Sequence, residues 1–254
     1  MHYLLTILLL LLPSALHAAI TIDGTPSFGG GINGNGTPDI SFSHSSTAPT
    51  LALACVAERD VTGASLGAST SVPTYAGNDM TLVPGATQNQ GGIMKTSLYY
   101  YVSPPSGSQT VTLPTVSTNA DRYMMSVITL AGTAATDIFN TAGTNGAATG
   151  TNLDVDSLAS AVGEFAVACG AQETNTPAFS ADATSPVSTE VLDEDMAAID
   201  GIGLSHFIYT EDGAATSINM RVDSTGNVDW SMVAVSIRPA ISATVRRQNP
   251  VWYP

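Results

Sequence analysis

The sequence predicts an all-β protein, a β-sandwich built from two homologous halves with almost no helix. Three observations support this. Apolar residues alternate with other residues over runs of strand length, no stretch keeps an apolar period of 3.6 residues, and one strand pattern occurs twice. Charged residues make up only 11% of the 254 residues, while the 23 glycines supply many turn positions. The hydrophobic share, 44%, is too high for a disordered chain.

Each half opens with a strongly aliphatic strand. Residues 51–58 read LALACVAE, and residues 165–173 read FAVACGAQE. In a strand, alternate residues lie on one face, so Cys55 and Cys169 take matching positions 114 residues apart. We interpret these two strands as copies of one element.

Three later segments repeat in the same order at offsets that shrink along the chain. Residues 98–102 match residues 206–210 at an offset of 108. Residues 111–113 match residues 218–220, and residues 123–132 match residues 230–239, both at an offset of 107. Such a decrease is expected of a tandem duplication whose loops have since lost residues. We place the first half at about 39–132 and the second at about 152–240, with a loop between them. The alternative is that strands of similar composition resemble one another by chance.

Residues 1–18, MHYLLTILLLLLPSALHA, have the apolar run and small-residue end of a secretory signal peptide, although no Lys or Arg precedes the run. An uncleaved membrane anchor is the alternative, but the run over residues 3–12 is too short to span a bilayer. We therefore expect cleavage near Ala18 or Ala19 and a secreted or cell-surface sandwich over residues 19–240 without a membrane span. Asn35 begins a weak glycosylation sequon.

The charge balance excludes nucleic acid as a partner. The chain carries a net charge of −14 with a single lysine, Lys95, so little in it could neutralise phosphates.

The order of elements resembles a known type of module. An aliphatic strand leads to a hairpin with Tyr75-Ala76-Gly77, then to a Leu-Tyr-Tyr strand that ends in Pro-Pro-Ser-Gly at residues 104–107. A second aliphatic strand closes the half. This plan resembles the jelly-roll-like β-sandwich modules of secreted bacterial surface proteins and phage tail-associated proteins. The resemblance spans about residues 39–240 and implies an extracellular or virion setting, and it supplies no catalytic residue.

The sequence offers little catalytic chemistry. After signal cleavage only His44 and His206 remain, and we expect a structural role for both. The chain has neither a Gly-x-Ser-x-Gly elbow nor a His-x-x-x-His pair. We therefore expect a protein that is not an enzyme and that needs no cofactor other than, in one alternative, calcium.

An acidic cluster in the second half is the candidate metal site. It consists of Asp193, Glu194, Asp195 and nearby Asp200. Carboxylates grouped on loops are suitable ligands for Ca²⁺, but the spacing is not that of an EF-hand. A solvated acidic face is the alternative interpretation.

Three consecutive tyrosines mark the strand after residue 97. Alternation predicts Tyr99 and Tyr101 on one face and Tyr100 on the other. Packing across the sandwich is one role for these rings, and an exposed ring that stacks on a sugar is the other.

The two cysteines are the disulfide candidate. If the halves pack with two-fold pseudo-symmetry, Cys55 and Cys169 meet near the axis, and an oxidising compartment lets them join. Two buried free thiols would fit the same pattern.

The C-terminal tail, residues 241–254, differs from the body. Arg246 and Arg247 bring positive charge to an acidic chain, and Trp252 and Tyr253 are a large apolar load for a free end. We expect this tail either to fold back on its own body or to mediate self-association.

Taken together, these features predict an exported, non-enzymatic structural or adhesive subunit of a cell surface, extracellular filament or virion appendage. Its partners would be copies of itself or neighbouring surface or virion proteins. The alternative is a secreted glycan-binding module, with or without calcium assistance.

Overall fold

A computed structural model describes residues 18–32, 40–67, 72–173, 179–181, 189–195, 203–214 and 216–241. These ranges contain β-strands, turns and loops and no helix, so the all-β prediction is confirmed. The predicted signal peptide up to residue 17, Asn35, Asp200 and the tail from residue 242 onward lie outside the described residues.

The first half is a sandwich of two antiparallel sheets. Its larger sheet has the order β1-β10-β4-β8-β7, with β2 also paired to β10, and its smaller sheet has the order β3-β9-β5-β6. Two antiparallel sheets that enclose an apolar core between them form a β-sandwich. The strands are β1 Thr21–Ile22, β2 Ser27–Ile32, β3 Ile40–Ser46, β4 Leu51–Arg59, β5 Thr74–Tyr75, β6 Asn78–Asp79, β7 Thr81–Gln90, β8 Met94–Val102, β9 Gly107–Leu113 and β10 Arg122–Ala131.

The second half has the same plan. Its larger sheet has the order β11-β18-β13-β16-β15, and its smaller sheet has the order β12-β17-β14. The strands are β11 Phe139–Ala147, β12 Asn152–Ala159, β13 Phe165–Gln172, β14 Phe179–Ala181, β15 Thr189–Asp195, β16 Ser205–Asp212, β17 Ser217–Ser224 and β18 Trp230–Ile237. Strands β2 to β5 and β7 to β10 of the first half each have a counterpart at the same place in this order, whereas β6 has none among the described strands.

Strand pairing corrects two of the offsets read from the sequence. Cys55 pairs with Leu98, and Cys169 pairs with Ile208, so the matching positions of β8 and β16 are 110 residues apart rather than 108. When Ile40 of β3 is matched with Leu153 of β12, their partners in β9 and β17 are Leu113 and Val222, which gives 109 rather than 107. The offset of 107 for β10 and β18 agrees with the register. Slipping by two residues keeps each side chain on the same face, which is why the hydrophobic pattern could not reveal the error.

The two larger sheets pack face to face, so the molecule has four layers of sheet. Every residue of β4 is buried because one face of this strand meets the other half and the opposite face meets its own smaller sheet. Leu51, Leu53 and Cys55 belong to the core between the halves, whereas Ala52 and Ala54 belong to the core of the first sandwich.

Each sandwich also has its own apolar core. The first contains Tyr75, Met125 and Val127, and the second contains Phe207 and Met232. Burying a side chain of this size contributes about 1.5–3 kcal/mol, so the three cores together provide most of the driving force for folding.

Gly170 shows how the second core is filled. It occupies the β13 position that corresponds to Val56 in β4, 114 residues earlier. A Cβ at Gly170 would lie 2.4 Å from the ring of Phe207 and 2.8 Å from the carbonyl oxygen of Ser231. The glycine therefore makes room for the aromatic ring of the neighbouring strand.

Two segments form strands although their residues are weak β-formers, and one of them lies in the linker, the loop predicted between the halves. The glycine-rich residues 29–32 form part of β2, and residues 139–147 of the linker form β11. Glycine fits closely in β2, since a Cβ at Gly29 would meet Phe42 at 2.8 Å and one at Gly31 would meet the Tyr123 hydroxyl at 2.6 Å, so that these side chains would have to shift. Each strand pairs with the closing strand of its half, which supplies the hydrogen bonds that a weak β-former cannot secure alone.

A disulfide bond joins the halves at the centre of the molecule. Cys55 of β4 and Cys169 of β13 are bonded, with their Cα atoms 6.2 Å apart, and both are fully buried. The face-to-face packing of the two larger sheets thus brings together two cysteines that are 114 residues apart in the sequence.

Replacing both Cys55 and Cys169 by alanine should lower the free energy of unfolding by about 4–5 kcal/mol, because the unfolded chain regains the freedom of a long loop. Chemical denaturation of this variant beside the wild type measures the loss. Reduced wild-type protein, which keeps both sulfur atoms, is the matched control. Full alkylation of two thiols in unfolded, unreduced protein would contradict the bond.

Candidate functional site

A cleft opens between the two halves at the end of the molecule where the linker runs from β10 to β11. It has a volume of about 560 Å³. The residues that line it come from β7, β8, the linker and the start of β11: Pro84, Tyr100, Val102, Ala135, Thr136, Asp137, Ile138, Phe139, Asn140, Thr141 and Ala142.

Two aromatic rings form the apolar wall of the cleft. As predicted, alternation along β8 directs Tyr99 and Tyr101 into the core of the first sandwich and Tyr100 to the opposite face. At the end of β8 that face is only partly covered, and the first residue of β11, Phe139, meets it. The rings of Tyr100 and Phe139 are perpendicular, with centroids 5.0 Å apart. Both remain half-buried and reachable from solvent.

The polar rim is organised by Arg238, which follows β18. Its guanidinium pairs with the Asp137 carboxylate, donates to the Asp137 carbonyl at 3.1 Å and donates to Asn140 Oδ1 at 3.2 Å. The Asn140 amide donates in turn to the buried carboxylate of Glu164 at 3.0 Å. The Asp137 side chain is 83% exposed. Its φ of 52° is left-handed, a conformation that Asp tolerates better than most residues.

This arrangement has the character of a small-molecule site. Pockets of about 300–1,000 Å³ with apolar walls and a few oriented polar groups are typical of ligand binding. Most of the lining was missed at the sequence level because residues 135–142 lie in the linker that was predicted as loop. The Ile138-Phe139 pair, apolar in an otherwise small and polar stretch, was the available signal.

An ion pair connects the halves at the other end of the molecule. Arg59, the last residue of β4, pairs with Glu173 just after β13 and donates to the carbonyl of Gly203 at 2.7 Å. Burial lowers the pKa of Arg59, and Glu173 opposes this effect. Burial raises the pKa of Glu173, and Arg59 opposes it. The pair is only partly buried, so we assign it an orienting role.

The single lysine of the chain lies inside the first sandwich. Lys95 Nζ is 2.8 Å from Glu58 Oε2, and both residues are buried. Ser117 donates its hydroxyl to the same carboxylate at 2.7 Å. This network fastens the residue 114–121 loop to β4 and β8.

His206 lies against the disulfide. Its Nε2 is 3.0 Å from Cys55 Sγ, while its Nδ1 has no hydrogen-bond partner. The ring is fully buried, and this burial lowers the pKa of His206 to about 3. The imidazole is therefore neutral at physiological pH, a state that fits a packing role beside the disulfide.

His44 connects β2, β3 and β10 through hydroxyl groups. Thr129 donates its hydroxyl proton to the carbonyl of Asp23, so it accepts from His44 Nε2 at 3.0 Å. His44 Nδ1 then accepts from the Ser27 hydroxyl at 3.1 Å. Burial lowers the pKa of His44, and Asp23 raises it. This series of bonds fastens the glycine-rich strand β2 to the sandwich.

Three of the four predicted calcium ligands lie in a strand rather than on a loop. Asp193, Glu194 and Asp195 form the end of β15, paired with β16, because β16 offers an open edge there. Asp200 lies outside the described residues, as do the tail residues Arg246, Arg247, Trp252 and Tyr253. Across the described ranges, no three side chains of His, Cys, Asp or Glu are grouped so that they could hold a metal ion.

Comparison with protein-family models, with curated proteins and with solved structures finds no match to this chain. The described part of the chain contains no helix long and apolar enough to cross a membrane.

Replacing Lys95 by methionine should lower the free energy of unfolding by about 3–5 kcal/mol, because the buried Glu58 carboxylate loses its counter-charge. Adding Glu58→Leu should restore much of the loss. Urea denaturation measures both variants. Arg221→Met is the matched control: its pair with Asp156 is exposed, and we expect a change within about 1 kcal/mol. Equal losses of unfolding free energy in Lys95→Met and Arg221→Met would contradict this account.

Stability should fall in mild acid because of His206. Its pKa is about 3 in the folded protein and ordinarily 6.5, so the unfolded chain binds the proton first as the pH drops below 6.5. Between pH 7 and pH 5 the wild type should lose about 2 kcal/mol from this group. Denaturant unfolding of wild type and His206→Leu at both pH values isolates the effect. If the free energy of unfolding falls by the same amount in wild type and in His206→Leu between pH 7 and pH 5, His206 does not titrate in this way.

Proposed function

We propose that the protein is an exported, non-enzymatic structural or adhesive subunit of a cell surface, extracellular filament or virion appendage. The observation that carries the proposal is the fusion of two sandwiches into one block through a buried core and a buried disulfide between Cys55 and Cys169. A shared buried core and a cross-link over a long loop each raise the free energy of unfolding, and added stability suits a component exposed outside the cell.

The disulfide also supports the export part of the proposal. Disulfides form and persist in oxidising compartments and are rare in the cytosol of mesophilic cells. With both cysteines fully buried, a reductant reaches the bond only when the structure opens. Together with the predicted signal peptide of residues 1–18, this favours a secreted or cell-surface location.

The two halves are best explained by duplication of one jelly-roll-like sandwich. The support is the same strand order in both halves and a register that gives offsets of 114, 110, 109 and 107 along the chain. A duplicated unit that keeps its hydrophobic surface can bury it against its own copy, as the face-to-face sheets do here.

Self-association is the partner relation that we favour, and residues 241–254 are its candidate segment. The body ends at an exposed position, because the Ile241 side chain is 78% exposed. Beyond it the sequence supplies Arg246 and Arg247 for an acidic neighbour and Trp252 and Tyr253 as apolar anchors. The same contact repeated from copy to copy is heterologous, and it forms a filament unless its rotation closes a ring.

A secreted glycan-binding module is the second candidate. The cleft beside Tyr100 favours it, because an accessible aromatic wall with a polar rim suits sugar recognition. Calcium assistance remains tied to Asp193, Glu194, Asp195 and Asp200 and is not needed by the cleft itself.

Deleting residues 241–254 should lower self-association. It should leave a folded body with an unchanged melting temperature, because the described core residues all lie between Ile20 and Ile237. Trp252→Ala should cause most of the same loss. Sedimentation velocity over a concentration series and thermal unfolding on the same samples measure the two properties.

Gln248→Ala is the matched control in the tail and should assemble as the wild type does. If the tail instead folds back on its own body, deletion lowers the melting temperature and leaves the oligomeric state unchanged. Full-length protein that stays monomeric at high concentration would contradict the filament form of the proposal.

A further inference from the structure

We propose that the cleft between the halves binds a neutral carbohydrate, with Tyr100 as the stacking ring and Asp137 as the hydrogen-bond acceptor. The inference rests on the proposed adhesive role and names the chemical class of its ligand.

The aromatic wall selects a ligand with an apolar face. Tyr100 packs edge to face with Phe139, and this contact sets the orientation of both rings. The stem of Tyr100 is held in the core between the halves, so little side-chain freedom is lost when a ligand covers the ring. Pyranose rings carry a patch of C–H groups that pack on an aromatic face, and their hydroxyl edges remain free for polar contacts.

The polar rim selects a ligand rich in hydroxyl donors. The ion pair with Arg238 uses Asp137 Oδ2, and the high exposure of the side chain leaves the carboxylate accessible. Thr136 and Thr141 line the cleft beside it and add hydroxyl groups. A carboxylate is a strong acceptor for two neighbouring hydroxyls, and such charge-assisted bonds are about twice as strong as neutral ones.

The rim is held in position before any ligand arrives. The backbone of Arg238 donates to the Ile138 carbonyl at 2.7 Å and accepts from Ala134 at 2.9 Å. Thr133 and Pro239 form an isolated β-bridge next to these bonds. A loop fixed at both ends pays less ordering entropy on binding, which lets a shallow cleft hold a small polar ligand.

Charge restricts the ligand to neutral sugars. The protein carries a net charge of −14. At the cleft the exposed Asp137 carboxylate, with the buried Glu164 carboxylate behind Asn140, outnumbers Arg238, the single cation among the described rim residues. Uronic-acid and sulfated glycans would be repelled by this field at low salt. Binding of a neutral sugar should in turn depend little on ionic strength.

The test uses the full-length protein and immobilised cello-, malto-, manno-, xylo- and chito-oligosaccharides, with polygalacturonate and heparin as acidic probes. The best neutral binder is then titrated in solution by calorimetry. We expect binding to at least one neutral series. Asp137→Asn should weaken it about tenfold or more, and Tyr100→Leu should do the same, because each removes one of the two selecting groups.

Two controls separate the cleft from the rest of the molecule. Tyr100→Phe keeps the ring and should retain most of the affinity, and Asp79→Asn removes an exposed carboxylate on the distant β6 and should change nothing. The melting temperature of each variant verifies folding. No binding to any neutral probe, a preference for acidic probes, or affinity unaffected by Asp137→Asn and Tyr100→Leu would each overturn the inference. Sedimentation measures self-association separately from sugar binding. A protein that assembles but binds no sugar would therefore support the structural role and contradict the glycan site.

Discussion

The structure depends on two sheets that must be apolar on both faces. A strand in an ordinary two-layer sandwich can keep one face polar, but β4, β10, β13 and β18 are covered on one side by the other half and on the other side by their own smaller sheet. This double burial explains their nearly continuous runs of small and aliphatic residues. Small residues such as Ala52 and Ala54 keep the layers close, and larger ones such as Leu51 and Leu53 fill the space between the halves.

The cross-links follow from that packing. Once equivalent strands face each other, equivalent cysteines meet, and the disulfide forms at the centre of a core that is already apolar. Water is excluded there, which is why His206 beside it is neutral. The Arg59–Glu173 pair and the Arg238 cluster lie at opposite ends of the same interface, where strands emerge and charge can reach solvent.

The sequence allowed the fold class, the central strands and the tyrosine alternation to be predicted, because each depends on a local period. Strands β2 and β11 could not be predicted, since their glycines and small residues form strands only when they pair with the edge of a neighbouring sheet. Two offsets were wrong by two residues for a related reason: a shift of two keeps the hydrophobic face unchanged. The cleft could not be predicted from the sequence, because it brings Tyr100 next to a linker whose path is set by tertiary contacts with Arg238. Of its lining, only Tyr100 was a candidate beforehand.

The cleft lies where the likeness between the halves ends. Register places Thr210 at the position in β16 that corresponds to Tyr100 in β8, and Thr210 is buried. The segment that carries Asp137 and leads into β11 connects the halves, whereas in the first half the short strand β1 precedes β2. Residues shared by both halves serve mainly to pack them together. Side chains that only one half has do not need to keep the packing between the halves. A binding function could therefore arise at Tyr100 and the linker without destabilising the core between the halves.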